Sequence, residues 1–265
     1  MSSAPAWQPL LRSAQPCDHI VQLYTDDGFL TRAVTQFVGA GLLAGEAAVI
    51  VATPPHIRAL DAQLGLQVEV AAVRARDQLV VFDAETCLAG LLVNGRLDRD
   101  QFLGFVNPML DRAEAAGNGR VRVFGEMVNL LCGRDPQAAA ELEALWSGVL
   151  TTRSVCLLCA YRLDNFDRHV HRGLLHQISR SHSHVVPVEH YERLESAVDR
   201  AYREVFGARA TPPRSATSSS RERLRRRSCP PLKRRCSRSA GSAPTSPMPC
   251  SSAPATTTPR PSLPS

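Results

Sequence analysis

Ala47-Ala-Val-Ile-Val-Ala52 sets six apolar residues in a row, after glycines at 41 and 45 and before Thr53-Pro54-Pro55. A strand with one wet face alternates polar and apolar residues, whereas a strand covered on both faces is apolar throughout. The stretch therefore predicts a buried strand of a parallel sheet. His19–Tyr24 (HIVQLY), Leu79–Phe82 (LVVF), Val121–Phe124 (VRVF) and Val155–Tyr161 (VCLLCAY) are similar short runs. Segments of helical period separate them. Phe29, Ala33, Phe37 and Ala40 follow the Asp26-Asp27-Gly28 turn, and further helices are expected at about 55–64, Ala84–Val93, Asp98–Ala116, Glu126–Leu131 and Pro136–Thr151. Val68–Ala71 reads as one more short strand. Helices at about 165–180 and 189–206 flank Val185-Val186. Strands alternating with helices define an α/β domain, with a mainly parallel sheet and helices on both faces.

This grammar stops after Gly207. Residues 211–265 carry ten Arg and Lys233 against one acid, Glu222, together with eleven prolines and thirteen serines. They contain no Val, Ile, Phe, Tyr or Trp. Such a segment cannot bury enough apolar surface to offset its ordering entropy, so a disordered tail is expected over 208–265. Its net charge is +10 while the whole chain is +6, which leaves the first 210 residues at −4. The basic balance belongs to the tail. The tail also lacks aromatics to stack on bases, so no specific nucleic-acid binding is expected.

The chain divides on these grounds into a flexible N-terminus (1–16), a domain (17–188), an exit helix (189–207) and the tail. Lys233 is the only lysine, and Arg and Ala abound, as in proteins of GC-rich genomes. The tail composition matches GC-rich codons read out of phase, so a frameshift origin is expected, with an evolved linker as the alternative. No apolar run nears the roughly 18–20 residues that span a bilayer, and the N-terminus lacks a signal-peptide pattern. Cys87, Cys132, Cys156 and Cys159 sit among apolar neighbours, which suits reduced thiols in a cytoplasmic protein.

Six blocks in order carry a resemblance: Asp18-His-Ile-Val-Gln-Leu-Tyr24, Phe37-Val-Gly-Ala-Gly-Leu-Leu-Ala-Gly-Glu46, Phe124-Gly-Glu-Met-Val-Asn-Leu-Leu131, Leu142-Glu-Ala-Leu-Trp146, Leu157-Leu-Cys-Ala-Tyr161 and Ser181-His-Ser-His-Val-Val-Pro-Val-Glu189. Together they resemble the MEDS (methanogen/methylotroph sensory) domain family over about residues 17–195. The resemblance implies a sensory module of bacterial histidine kinases and transcription regulators. It also implies a fold distantly related to RecA-like ATPases, and small organic ligands. The phosphate-binding loop of such ATPases needs Gly-x-x-x-x-Gly-Lys-Ser/Thr. Here β-strand residues run into Tyr24-Thr-Asp-Asp-Gly-Phe29, with two acids and no lysine, so a RecA-like fold without a P-loop is expected. A degenerate nucleotide-binding protein is the alternative function.

Ligands of parallel sheets sit at the carboxyl ends of strands. Polar residues there are the candidate ligand-binding groups: Tyr24, Asp26 and Asp27 after the first strand, Thr53 after the second, Glu126 and Tyr161. Helix capping is the plain alternative for Asp26 and Asp27, a packed ring for Tyr161, and a first-turn acid for Glu126. Glu126 stands between Phe124-Gly125 and an apolar run, so an inward carboxylate with a partner is expected, near Tyr24 or Tyr161. His19 and His184 complete the set, as a polar group on the pocket floor and a member of the last motif.

Six of eight histidines fall at 169–190. His182 and His184 would share a face of an extended segment, yet no His-Glu-x-x-His pattern accompanies them, and no metal is expected. Cys156-Leu-Leu-Cys159 lies in a strand, where its two thiols face opposite sides as small hydrophobes. No cofactor and no kinase or hydrolase motif is read. The function expected is therefore a cytoplasmic small-molecule sensory domain of a bacterial signal-transduction or transcription regulator, truncated from a sensor kinase-like protein. The partners expected are a small organic ligand and an output module such as a histidine kinase, with no membrane. Leu194, Val198, Ala201 and Val205 would also allow a homodimer.

Overall fold

Strand and helix alternate along the computed structural model, which describes residues 7–163, 178 and 180–186. The order is α1 (Trp7–Arg12), β1 (His19–Tyr24), α2 (Asp27–Leu43), β2 (Ala47–Ala52), α3 (Pro54–Leu64), α4 (Val70–Ala75), β3 (Leu79–Asp83) and α5 (Ala84–Gly90). A small hairpin of β4 (Leu92–Val93) and β5 (Arg96–Leu97) precedes α6 (Arg99–Ala116), β6 (Val121–Gly125), α7 (Met127–Cys132), α8 (Pro136–Leu150), β7 (Val155–Arg162) and β8 (His184–Val186). The main sheet has the order β3-β2-β6-β7-β1-β8, and every pairing in it is parallel.

Side chains alternate across the strands, so the sheet has two apolar faces. Ala48, Ile50 and Ala52 pack with Ile20, Phe124, Leu158 and the apolar residues of α1 to α4. Ala47, Val49 and Val51 pack with Val21, Val123, Leu157 and those of α5 to α8. The chain winds from β1 outward to β2 and β3, then returns to β6 and β7. Because parallel crossovers are right-handed, reversing the winding moves the helices to the other face. The neighbours β2 and β6 consequently send their following helices, α3 and α7, to opposite faces. Such a divergence marks the topological switch point of the sheet, beyond whose carboxyl ends parallel sheets place their ligands.

Aspartates start several helices. Asp26, Asp83, Asp98 and Asp135 accept hydrogen bonds from the backbone N–H groups of Phe29, Thr86, Gln101 and Ala138. Asp26, not Asp27, is the cap of α2, and Thr53 precedes α3 without a side-chain cap.

Three local expectations change. Residues 7–12 form a helix although the N-terminal segment reads as frayed. Leu11 is fully buried, and the buried Arg122 guanidinium donates to the carbonyls of Leu11 and Arg12 while pairing with Glu46. These long-range bonds organise a segment that has no strong signal of its own. Val68–Ala71 is not a strand: the Ala-rich turn from Val70 is α4, which buries Val73. The helix expected to reach Val93 ends at Gly90, because Asn94 and Gly95 both adopt positive φ (52° and 76°). That pair makes the tight turn of the hairpin.

No helix among the described residues is long and apolar enough to cross a membrane. The expected exit helix, the 208–265 tail, His169, His171, His176, His190 and most of the expected 165–180 helix lie outside the described residues.

Candidate functional site

The switch point between β2 and β6 holds a buried carboxylate. Glu126 directly follows β6 and is 1 % exposed. The backbone N–H of Thr53, at the end of β2, donates to its Oε1, and His56 Nδ1 lies 2.6 Å from its Oε2. His56 Nε2 lies 3.5 Å from Asp27 Oδ1, and Arg162 Nη1 donates to the same Asp27 oxygen at 2.7 Å. The Arg162 guanidinium also sits 5.8 Å over the Tyr24 ring, whose hydroxyl accepts from Asn129 Nδ2 at 3.4 Å. Carboxylate, imidazole, carboxylate and guanidinium thus form a chain from the buried switch point outward.

The electrostatics follow from this geometry. The hydrogen bond to Glu126 raises the His56 pKa above its ordinary value, burial opposes the rise, and the charges of Glu126 and Asp27 add to it. Burial first, then the charges of Glu126 and Asp27, pushes the Tyr24 pKa well up, so the phenol stays protonated and can donate.

A second polar group lies beneath α8, inside the opposite core. Glu143 is 4 % exposed; Tyr161 Oη donates to its Oε1 at 2.6 Å. Its Oε2 lies 3.1 Å from His19 Nε2, 3.5 Å from His182 Nε2 and 3.9 Å from Cys159 Sγ. Cys159 Sγ is 3.5 Å from His19 Nε2, and the two imidazole rings stack at 3.9 Å between centroids. His182 Nδ1 lies 2.6 Å from the Ile178 carbonyl. Neither His19 Nδ1 nor His182 Nε2 has a hydrogen-bond partner among the described residues. Burial lowers the His182 pKa to about 4, and its ring is neutral near pH 7 despite the carboxylate. Burial alone would raise the Glu143 pKa, but the imidazoles and the Tyr161 hydroxyl hold it below the usual range, so the carboxylate form stands.

The structure therefore splits the expected residues. It brings Tyr24, Asp27, Thr53 and Glu126 together and adds His56. It places Tyr161 and His19 in the second group, away from the switch point. His184 is half-buried at the start of β8, with Nε2 3.5 Å from Asp18, and does not converge with His182. Cys156 and Cys159 face opposite cores as expected, although Cys159 has polar company.

Sequence reasoning missed His56 and Glu143, and it weighed His182 only as a partner of His184. Glu143 had a legible signal: it falls within the buried stripe Ala139, Leu142, Trp146, Leu150, where a carboxylate needs a partner. His56, in the first turn of α3, had none beyond its closeness to the strand end.

These features define an α/β protein: a parallel sheet covered on both faces, with a polar cluster at its carboxyl end. Residues 18–183 match the family model of MEDS, the MEthanogen/methylotroph, DcmR Sensory domain, and the chain belongs to that family. No curated protein matches the chain. Among solved structures, the flagellar accessory protein FlaH from Methanocaldococcus jannaschii is similar, at 10% identity and a TM-score of 0.48. That similarity covers 71% of this chain and 78% of that chain.

Proposed function

We propose that the chain is a cytoplasmic sensory domain that binds a small polar organic molecule at the β2/β6 switch point and reports its presence to an output partner. Histidine kinases and transcription regulators of bacteria are the partners that suit such a domain. The observation that carries this reading is Glu126, a buried carboxylate at the topological switch point. It is held by a backbone N–H and an imidazole, beside the protonated phenol of Tyr24. A ligand with a donor group can exchange with His56 on Glu126 Oε2, and an acceptor can bond Tyr24 or Arg162. The exposed outer end, Asp27 with Arg162, gives such a ligand a way in.

The test is a thermal-shift screen of the full chain against small alcohols, amines, carboxylic acids and nucleotides. A compound that raises the midpoint in the wild type and not in Glu126→Gln or His56→Gln supports the reading. A ligand whose shift survives both substitutions binds elsewhere and overturns the site. A shift by nucleotides alone would make the chain a nucleotide binder instead.

A further inference from the structure

Four donor atoms from four separate parts of the chain converge beneath α8. They are His19 Nε2 from β1, Glu143 Oε2 from α8, Cys159 Sγ from β7 and His182 Nε2 from the segment leading into β8. All lie within 4.8 Å of one another, and all four residues are buried. We infer that these four side chains form a tetrahedral binding site for a first-row divalent cation, with zinc the best match to the donor set.

Geometry carries the argument. Zinc bonds imidazole nitrogen, carboxylate oxygen and thiolate sulfur at about 2.0–2.3 Å, so a tetrahedral shell has edges of about 3.4–3.6 Å. Four of the six edges are 3.1 Å from His19 to Glu143, 3.5 Å from His19 to Cys159, 3.5 Å from His182 to Glu143 and 3.9 Å from Cys159 to Glu143, and the two from His182 to His19 and to Cys159 are within 4.8 Å. The first four lie within a few tenths of an ångström of the ideal.

The hydrogen bonds around the shell point the same way. The Ile178 carbonyl can only accept, so His182 Nδ1 donates to it and Nε2 is the nitrogen whose lone pair can serve a cation. That lone pair faces a carboxylate oxygen, is unpartnered among the described residues, and belongs to a side chain with no exposure. Tyr161, by donating to Oε1, leaves Oε2 turned toward the two imidazoles and the thiol, as outer partners of metal ligands commonly do. Apolar neighbours surround the cluster: Val21, Leu157 and Trp146 belong to the same core. All four positions are supplied by protein, so the site is a closed, structural one. Cation binding releases the Cys159 thiol proton and ties β1, β7, α8 and the residues just before β8 to one point.

The full-length protein, purified without added metal or chelator, is measured for metal content and by X-ray absorption at the metal edge. About one equivalent of zinc with a shell of one sulfur and three nitrogen or oxygen atoms is the expected result. A chain with no stoichiometric metal that also fails to take up added Zn²⁺ or Co²⁺ overturns the proposal, as does a shell with several sulfurs or none. Co²⁺ is then loaded into the wild type and Cys159→Ser. Loss of the thiolate-to-cobalt charge-transfer band in the variant supports the site, and an unchanged band overturns it. Should Cys159→Ser not fold, His182→Gln is loaded instead: its d–d spectrum loses tetrahedral character if His182 is a ligand and is unaltered if it is not.

Discussion

The rings of Tyr24 and Tyr161 stand on opposite faces of one sheet, although their strands are paired and their register positions adjoin. Tyr24 is opposite Arg162 and Leu23 is opposite Tyr161, so one residue of offset sends the two phenols into different cores. Tyr24 adjoins Glu126, and Tyr161 donates to Glu143. The two buried carboxylates therefore belong to separate sites.

The two tyrosines should respond unequally to loss of the hydroxyl. Tyr161→Phe removes a 2.6 Å bond to a buried carboxylate and should destabilise the protein by about 1–3 kcal/mol. Tyr24→Phe gives up a 3.4 Å contact with Asn129 and an interaction with the partly exposed Arg162 guanidinium, neither of them to a buried carboxylate, and should cost less, about 1 kcal/mol. Denaturant titration of both variants compares them, and a greater loss for Tyr24→Phe contradicts the geometry.

Glu126→Ala strands the Thr53 N–H and the His56 ring. A destabilisation of about 2–4 kcal/mol is expected, with Glu126→Gln intermediate because its amide oxygen can still accept. Equilibrium unfolding reads this directly; a neutral Glu126→Ala would mean that the carboxylate is not a structural partner at the switch point.

The raised pKa of His56 gives stability a pH dependence of definite sign. Its contribution is complete below 6.5, its ordinary value, and is lost as pH rises from there through the higher folded value. Glu126 and Asp27 are the charged groups facing it, with the protonated Tyr24 ring nearby. The difference in unfolding free energy between wild type and His56→Gln should shrink across that interval. A difference that grows with pH reverses the assignment.

Gly41 admits the buried Arg122 side chain. A Cβ there would stand 2.6 Å from Arg122 Cδ and 2.7 Å from Nε, the atom that donates to Glu46. Gly41→Ala therefore gains helix propensity yet should destabilise by about 1–3 kcal/mol through overpacking. Raised thermal stability in this variant would show that Arg122 can move aside without loss.

Much of the architecture is local information, and the sequence alone carries it. Ala47–Ala52 is apolar at every position because both faces of β2 are covered, and the six ordered blocks from Asp18 to Glu189 identify the family without any coordinates. Glu126 could likewise be read as inward-facing, since its flanks leave no wet face for it. The partners could not be read. Glu126 meets His56 only because β2 and β6 are neighbours whose helices part to opposite faces, and that adjacency joins residues 70 positions apart. Glu143 meets His19 and Cys159 only because α8 turns its Ala139–Trp146 stripe onto β1 and β7. The period of a helix reveals which residues share a stripe, but the strand beneath that stripe is chosen by crossover handedness and winding order. Those are properties of the assembled sheet, so tertiary structure alone decided which buried charges share a site.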